Sequence, residues 1–120
     1  MTLEEYFYSL LAQVCTTVYA FPQNHASFPL FSFYQKGGSV EQCFHGEERL
    51  VRYTFRVDLW DQADTPQRLL DLAEQGTAVL AAAGFRRRFT ADIPEKAGFF
   101  HRAMEFTCLV DTKTGAIYQN

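Results

Sequence analysis

Three aspartates stand three residues apart in the segment RVDLWDQADTP: Asp58, Asp61 and Asp64. Carboxylate oxygens are the ligands that Mg²⁺ and Ca²⁺ prefer, so these acids could hold a metal ion in a small metal-dependent enzyme. Their spacing is not that of an EF-hand loop, and no glycine supplies its sharp turn. Ordinary roles fit better: Asp58 as a charge on a strand, Asp61 at a turn, and Asp64 as a helix cap. We therefore predict no metal site, no cofactor and no catalysis, and keep the metal-dependent enzyme as the alternative.

A second group of reactive side chains lies in the segment KGGSVEQCFHGEER, residues 36–49. Cys43 and His45, on either side of Phe44, could be metal ligands or a thiol nucleophile with its base. A glycine-flanked loop positions such groups poorly, so we predict a solvated, irregular loop that could stand away from the sheet. The cysteines of the chain are far apart and form no C-x-x-C pair, which predicts reduced thiols and no structural zinc: Cys15, Cys43 and Cys108.

Two groups of arginines are candidates for contact with a partner. Arg52 and Arg56 share one face of a predicted strand, whereas Arg86, Arg87 and Arg88 are consecutive, so a strand cannot point all three the same way. These arginines could pair with acids on neighbouring strands, form a charged subunit interface, or bind nucleic acid. Nucleic acid is the weakest alternative, because the net charge is −3 and aromatic residues do not interleave with the arginines.

The length and composition favour one domain, residues 1–120. Of the 120 residues, 48% are hydrophobic and 16% are aromatic, which suits a single packed core and argues against disorder. The first residues are acidic, unlike those of a signal peptide, and no apolar run approaches the length of a membrane span. We expect a cytosolic protein without electrostatic attraction to nucleic acid or to an anionic membrane.

Hydrophobic periodicity predicts two helices, residues 3–19 and residues 66–83, and Asp64 or Thr65 would cap the second. Thr2 and Glu5 have the spacing of a capping box at the start of the first helix. Gly84 is placed to end the second helix, since glycine readily adopts the left-handed conformation of a helix C-terminus.

Four strands are predicted, and the clearest covers residues 50–60, where apolar and polar side chains alternate. Trp60 ends the polar side of this strand, where it could cover the sheet edge or meet a partner. The other three strands are residues 30–35, 85–93 and 98–111. Residues 117–120 could form a further short strand at the C-terminus, or they could fray. The order α-β-β-α-β-β predicts an α+β fold, with one mostly antiparallel sheet and both helices packed on one face.

Four features occur in order along the chain: the N-terminal helix, the segment VYAFPQNHASFPLFSFYQ, the strand ending RVDLW, and the helix TPQRLLDLAEQGTAVLAAAGF before two late strands. In these features the sequence resembles, over roughly residues 3–110, the small tail-terminator and tail-completion proteins of long-tailed bacteriophages and prophages. The resemblance implies a structural protein without catalytic residues. Such a protein forms a ring, commonly a hexamer, on the end of the tail tube, stops tube polymerisation and joins the tail to the head.

The resemblance also implies partners and contact surfaces. The partners would be further copies of the chain, the tail tube protein and the head–tail connector protein. The protein would be located in the bacterial host cytoplasm during assembly and then in the virion tail. The loop 36–48 would project from the ring towards a neighbour or the tube. The strand with Arg52, Arg56 and Trp60 would form part of the subunit interface, and Arg86–Arg88 would pair with acids of the adjacent subunit. Another head–tail joining or minor tail protein is the alternative within this class. The C-terminal segment DTKTGAIYQN has no counterpart in the family pattern.

Overall fold

The computed structural model of the chain describes residues 1–19 and 27–119, so most of the predicted loop between Pro22 and Pro29 lies outside the described residues. Two helices and six strands follow one another in the chain: α1 (Leu3–Ala12), β1 (Thr16–Tyr19), β2 (Leu30–Phe44), β3 (Glu47–Gln62), α2 (Gln67–Ala82), β4 (Arg86–Asp92), β5 (Phe99–Asp111) and β6 (Ile117–Tyr118). The predicted α+β class is confirmed: the possible C-terminal strand forms as β6, and one short strand, β1, is added to the predicted order.

The strands form one sheet in the order β1-β2-β3-β5-β4, with β6 paired to β5. Strand β1 runs parallel to β2, and the other described pairs are antiparallel. Both helices share one buried cluster with the odd-numbered residues of β3 and the even-numbered residues of β5. The helices therefore pack on the same face of a mostly antiparallel sheet, as predicted.

Phenylalanine rings fill the core between the helices and the sheet. Phe7 of α1 stacks on Phe55 of β3 with ring centroids 4.2 Å apart, and Phe85 meets Phe7 edge-on at 5.0 Å. All three residues are fully buried, and aromatic pairs in such arrangements add to the stability that burial provides. Gly76 brings α2 close to the sheet, because a Cβ there would lie only 3.0 Å from Cζ of Phe31.

Helix α1 begins as predicted but ends early. The backbone N–H of Thr2 donates to Glu5 Oε1, and the N–H of Glu5 donates to Thr2 Oγ1, each at 3.1 Å, which is the capping box. The helix ends at Ala12, so the prediction of a helix to residue 19 was wrong. β-branched residues prefer extended backbone, and Thr16–Tyr19 forms strand β1 against Leu30–Phe33 of β2.

Strands β2 and β3 form a long hairpin, so the prediction of an irregular loop at 36–49 was wrong. The strands are joined by His45 and Gly46, whose φ angles of 52° and 79° are both positive, as in the two-residue turns that connect twisted strands. Residues 36–48, here called the arm, are exposed wherever their side chains are described. No alternation of apolar and polar residues marks this segment, because both of its faces meet solvent.

The two ends of α2 differ in how well they were predicted. The residue before the helix is Pro66, and no side chain caps the first turn, so the prediction of Asp64 or Thr65 as the helix cap was wrong. Gly84, just after the helix, has a φ of +97°, and its role at the C-terminus is confirmed.

Candidate interaction surface

The side of the sheet opposite the helices carries most of the polar candidates. It is formed by the even-numbered residues of β3 and the odd-numbered residues of β5, which the register places side by side. Neither of the described helices packs on this side, which we call the polar face. Its members on β3 are Arg52, Thr54, Arg56, Asp58 and Trp60, and its members on β5 are His101, Ala103, Glu105, Thr107 and Leu109.

A buried ion cluster lies at one end of the polar face, around Asp58. Arg56 Nε and Nη2 donate to the two carboxylate oxygens of Asp58 at 2.8 and 3.2 Å. Nε2 of His101 lies 2.5 Å from Asp58 Oδ2. Trp60 stacks on the His101 ring at 3.6 Å between centroids, and its Nε1 donates to Ser32 Oγ at 3.3 Å. Trp60 therefore covers this cluster, which is neither of the two roles predicted for it, and contact with a partner stays a prediction.

The surroundings of Asp58 keep its carboxylate charged. Burial disfavours the charged form, but the hydrogen bonds from His101 and Arg56, with the positive charge of Arg56, outweigh it, and the pKa of Asp58 lies below its ordinary value. His101 Nδ1 is buried and has no hydrogen-bond partner among the described residues. A general base needs a nitrogen that substrate can reach, so this arrangement favours a structural role for the Asp58–His101 pair.

The other two acids of the opening segment do not join Asp58. Asp61 lies on the helix side of β3, where it is buried and accepts hydrogen bonds from Arg68 at 2.6 and 3.0 Å. Asp64 is exposed. Asp61 is thus an ion-pair partner that joins β3 to the first turn of α2. The prediction that Asp61 lies at a turn was wrong, because β3 continues to Gln62. Within residues 1–19 and 27–119, no group of three histidines, cysteines or acids is arranged to hold a metal ion.

The three consecutive arginines point to both sides of the sheet. Arg87 pairs with Phe106 of β5 in the register and lies on the helix side, where Nη1 donates to Glu74 of α2 at 3.2 Å. Arg88 lies on the polar face, where its Nε donates to Thr107 Oγ1 at 3.1 Å, and a register shift follows between residues 87 and 89. Arg86 pairs with Thr107 in the register and also lies on the polar face.

Pairing within the chain accounts for some of the arginines and not for others. Arg56 binds Asp58, Arg87 binds Glu74, and Arg52 Nε donates to Glu41 Oε1 at 2.9 Å. Arg86 and Arg88 have no acid partner among the described residues. The hypothesis of cross-strand pairing thus fits part of the set and leaves Arg86 and Arg88 without an acid partner in the described part of the chain.

The candidates on the arm lie at the turn of the hairpin. Cys43 is exposed near the end of β2, Phe44 is the last residue of that strand, and His45 is the first residue of the turn. The side chain of Phe44 is outside the described part of the structure. The position of these residues agrees with a projecting element, although the element is a β-hairpin with shifts in its register and not a loop.

The cysteines are free thiols, as predicted. Cys108 is buried and Cys15 is partly buried. Burial raises the pKa of Cys15 to about 11 and that of Cys108 to about 12, because a thiolate is poorly solvated in the core. Neither thiol is therefore a ready nucleophile in the folded protein.

Comparisons with known proteins give no family for this chain. No model of a protein family matches the sequence, and no curated protein matches it. In the part of the chain that the structure describes, neither helix is both long enough and apolar enough to cross a lipid bilayer.

Proposed function

We propose that the protein is a structural tail protein of a phage or prophage, which forms a ring on the end of the tail tube, stops its polymerisation and joins the tail to the head. The sequence resemblance motivates the proposal. The observation that carries it is the presence of two unlike surfaces on one chain, the projecting arm and the charged polar face. A ring that closes by rotation needs two different, complementary surfaces on each subunit.

The arm offers backbone groups as well as side chains. Strand β1 pairs with β2 only over Leu30–Phe33, so the edge of β2 from Gln35 to Cys43 has no neighbouring strand among the described residues on the side away from β3. Unpaired edge strands add strands of other chains through backbone hydrogen bonds. Val40 is a large apolar residue that is exposed on the arm. Its burial against another chain would remove apolar surface from water and would therefore favour binding.

The polar face offers charge. Two arginines on it lack acids within the described chain, and charge complementarity directs subunits into one orientation and suppresses others. In the proposed ring, one subunit's arm would contact its neighbour, and the polar face would meet the next copy or the tail tube protein. Assembly would take place in the bacterial host cytoplasm, and the head–tail connector protein would bind the completed ring.

The test combines light scattering with negative-stain microscopy, on the protein alone and with tail tubes assembled from the tube protein of the same genome. We expect rings on tube ends and tubes that stop growing. A variant with a shortened arm, in which Asn-Gly replaces residues 41–50 between the register partners Val40 and Val51, should fold but lose ring formation. The matched control is Gln75→Glu, an exposed position of α2 far from both surfaces.

Two outcomes would count against the proposal. A protein that is strictly monomeric at high concentration and leaves tube growth unchanged is not a terminator. Binding to the connector without any effect on tubes would instead favour another head–tail joining protein, and incorporation along the tail would favour a minor tail protein.

A further inference from the structure

A small cavity lies on the polar face between β3, β4, β5 and β6. Its volume is about 100 Å³, and its polar lining includes Arg52, Arg86, Arg88, Thr107 and Tyr118. The residues come from four strands that are distant in sequence. Arg86 and Arg88 stand two residues apart in β4, and for that reason both lie on this side.

The arginines converge on one atom. Oγ1 of Thr107 accepts hydrogen bonds from Arg88 Nε at 3.1 Å and from Arg52 Nη1 at 3.5 Å, and Thr107 is itself buried. Two guanidinium groups thus share one neutral oxygen, and Arg86 lines the same cavity. The one carboxylate in contact with these groups among the described residues is that of Glu41, which is exposed and accepts a hydrogen bond from Nε of Arg52.

Arg52 and Arg88 donate to the same hydroxyl, so their two positive charges lie close together and repel each other. The hydroxyl of Thr107 is neutral and does not cancel these charges. We infer that this cavity is an oxyanion-binding site, which takes a phosphate or a carboxylate group. Guanidinium groups bind both of these planar or tetrahedral anions through paired, charge-assisted hydrogen bonds. The volume equals that of roughly three water molecules, which suits one such group and excludes a base or a sugar.

The inference does not depend on the ring. The chemistry is common to a free phosphate and to a carboxylate presented by another molecule, and the two sources can be separated by titration. Calorimetry on the full chain would compare sodium phosphate with sodium acetate, each against sodium chloride at the same ionic strength, because chloride reports general screening. Tighter binding of phosphate would assign the site to phosphate groups, and tighter binding of acetate would assign it to carboxylates.

The three consecutive arginines supply an internal control. Arg86→Gln and Arg88→Gln each remove one guanidinium from the cavity, and each should weaken anion binding about tenfold or more, the usual effect of losing a hydrogen bond between charged groups. Arg87→Gln removes the same charge from the same strand but on the helix side, and it should leave binding unchanged. Glu41→Gln should strengthen binding, since it frees Arg52 from its own carboxylate.

The inference is overturned by either of two results. One is that phosphate and acetate bind no better than chloride. The other is that Arg87→Gln weakens binding as much as Arg88→Gln, which would mean that only the overall charge matters. Circular dichroism of each variant establishes that it is folded, and Arg88→Lys, which keeps the charge but loses the paired donors, gives a second variant at the same position, for which an intermediate affinity is expected.

Discussion

Replacing Asp58 by asparagine tests whether the buried ion cluster stabilises the fold. The chain offers a matched control, because Arg102 binds Asp92 with the same atoms and distances, 2.8 and 3.2 Å, as Arg56 binds Asp58. The arginine side chains are similarly covered, at 23% and 16% exposure, but the Asp58 side chain is 3% exposed and that of Asp92 is 68% exposed. The two substitutions therefore differ chiefly in the burial of the carboxylate.

The two substitutions should lower the free energy of unfolding by amounts that differ several-fold. Removing one partner of a buried ion pair leaves the other charge without compensation, at a cost of about 3–5 kcal/mol. Arg56 retains partial access to water, so we expect Asp58→Asn to lower the free energy of unfolding by about 3 kcal/mol, including the loss of the charged partner of His101. Asp92→Asn should lower the free energy of unfolding by about 1 kcal/mol or less, because Asp92 is exposed and water can take its place as the partner of Arg102.

Urea denaturation followed by circular dichroism at pH 7 measures both values, and its pH dependence gives a second check. The pKa of Asp58 is lowered in the folded protein, so its contribution is fully present above the unfolded pKa of about 3.9 and is lost as pH falls through the lower folded pKa. The difference between wild type and Asp58→Asn should therefore shrink as the pH falls below about 4. Equal costs for the two variants at pH 7, or a difference that stays constant in acid, would refute the reasoning.

Two further predictions concern packing and thiol reactivity. Gly76→Ala should lower the free energy of unfolding by about 1 kcal/mol, because overpacking against Phe31 outweighs the better helix propensity of alanine; a more stable variant in urea denaturation would contradict this. At pH 8, a thiol-specific reagent should modify Cys43 within minutes and reach Cys15 and Cys108 only after unfolding, since burial raises the pKa values of those two thiols; mass spectrometry of digests would show any exception.

The elements predicted best are those whose sequence pattern and tertiary role agree. β3 over residues 50–60 alternates because one side faces the core and the other is polar, and the structure keeps that alternation. The capping box of Thr2 and Glu5 is local, and its two hydrogen bonds form as predicted. The role of Gly84 was also predictable from the local sequence, because the left-handed backbone at the end of α2 favours glycine.

The elements that were missed depend on contacts between distant parts of the chain. The segment 16–19 continues the helical spacing of α1, but its β-branched residues pair with β2, and that pairing overrides the spacing. The arm is held by backbone pairing and carries no burial pattern, and the turn residues His45 and Gly46 are a weaker signal than Asn-Gly. His101 reaches Asp58 only through the register of β5 against β3.

The register also explains why the opening triplet of acids does not form one site. Side chains of a strand share a face at steps of two, so Asp58 and Asp61 lie on opposite sides as soon as the strand continues through both. Strand β3 does continue to Gln62, and the two carboxylates consequently bind different arginines, Arg56 on the polar face and Arg68 on the helix side. A spacing of three would bring acids together on a helix, where residues three apart are neighbours. In this chain the same spacing divides the acids between the two faces, and each stabilises a different part of the fold.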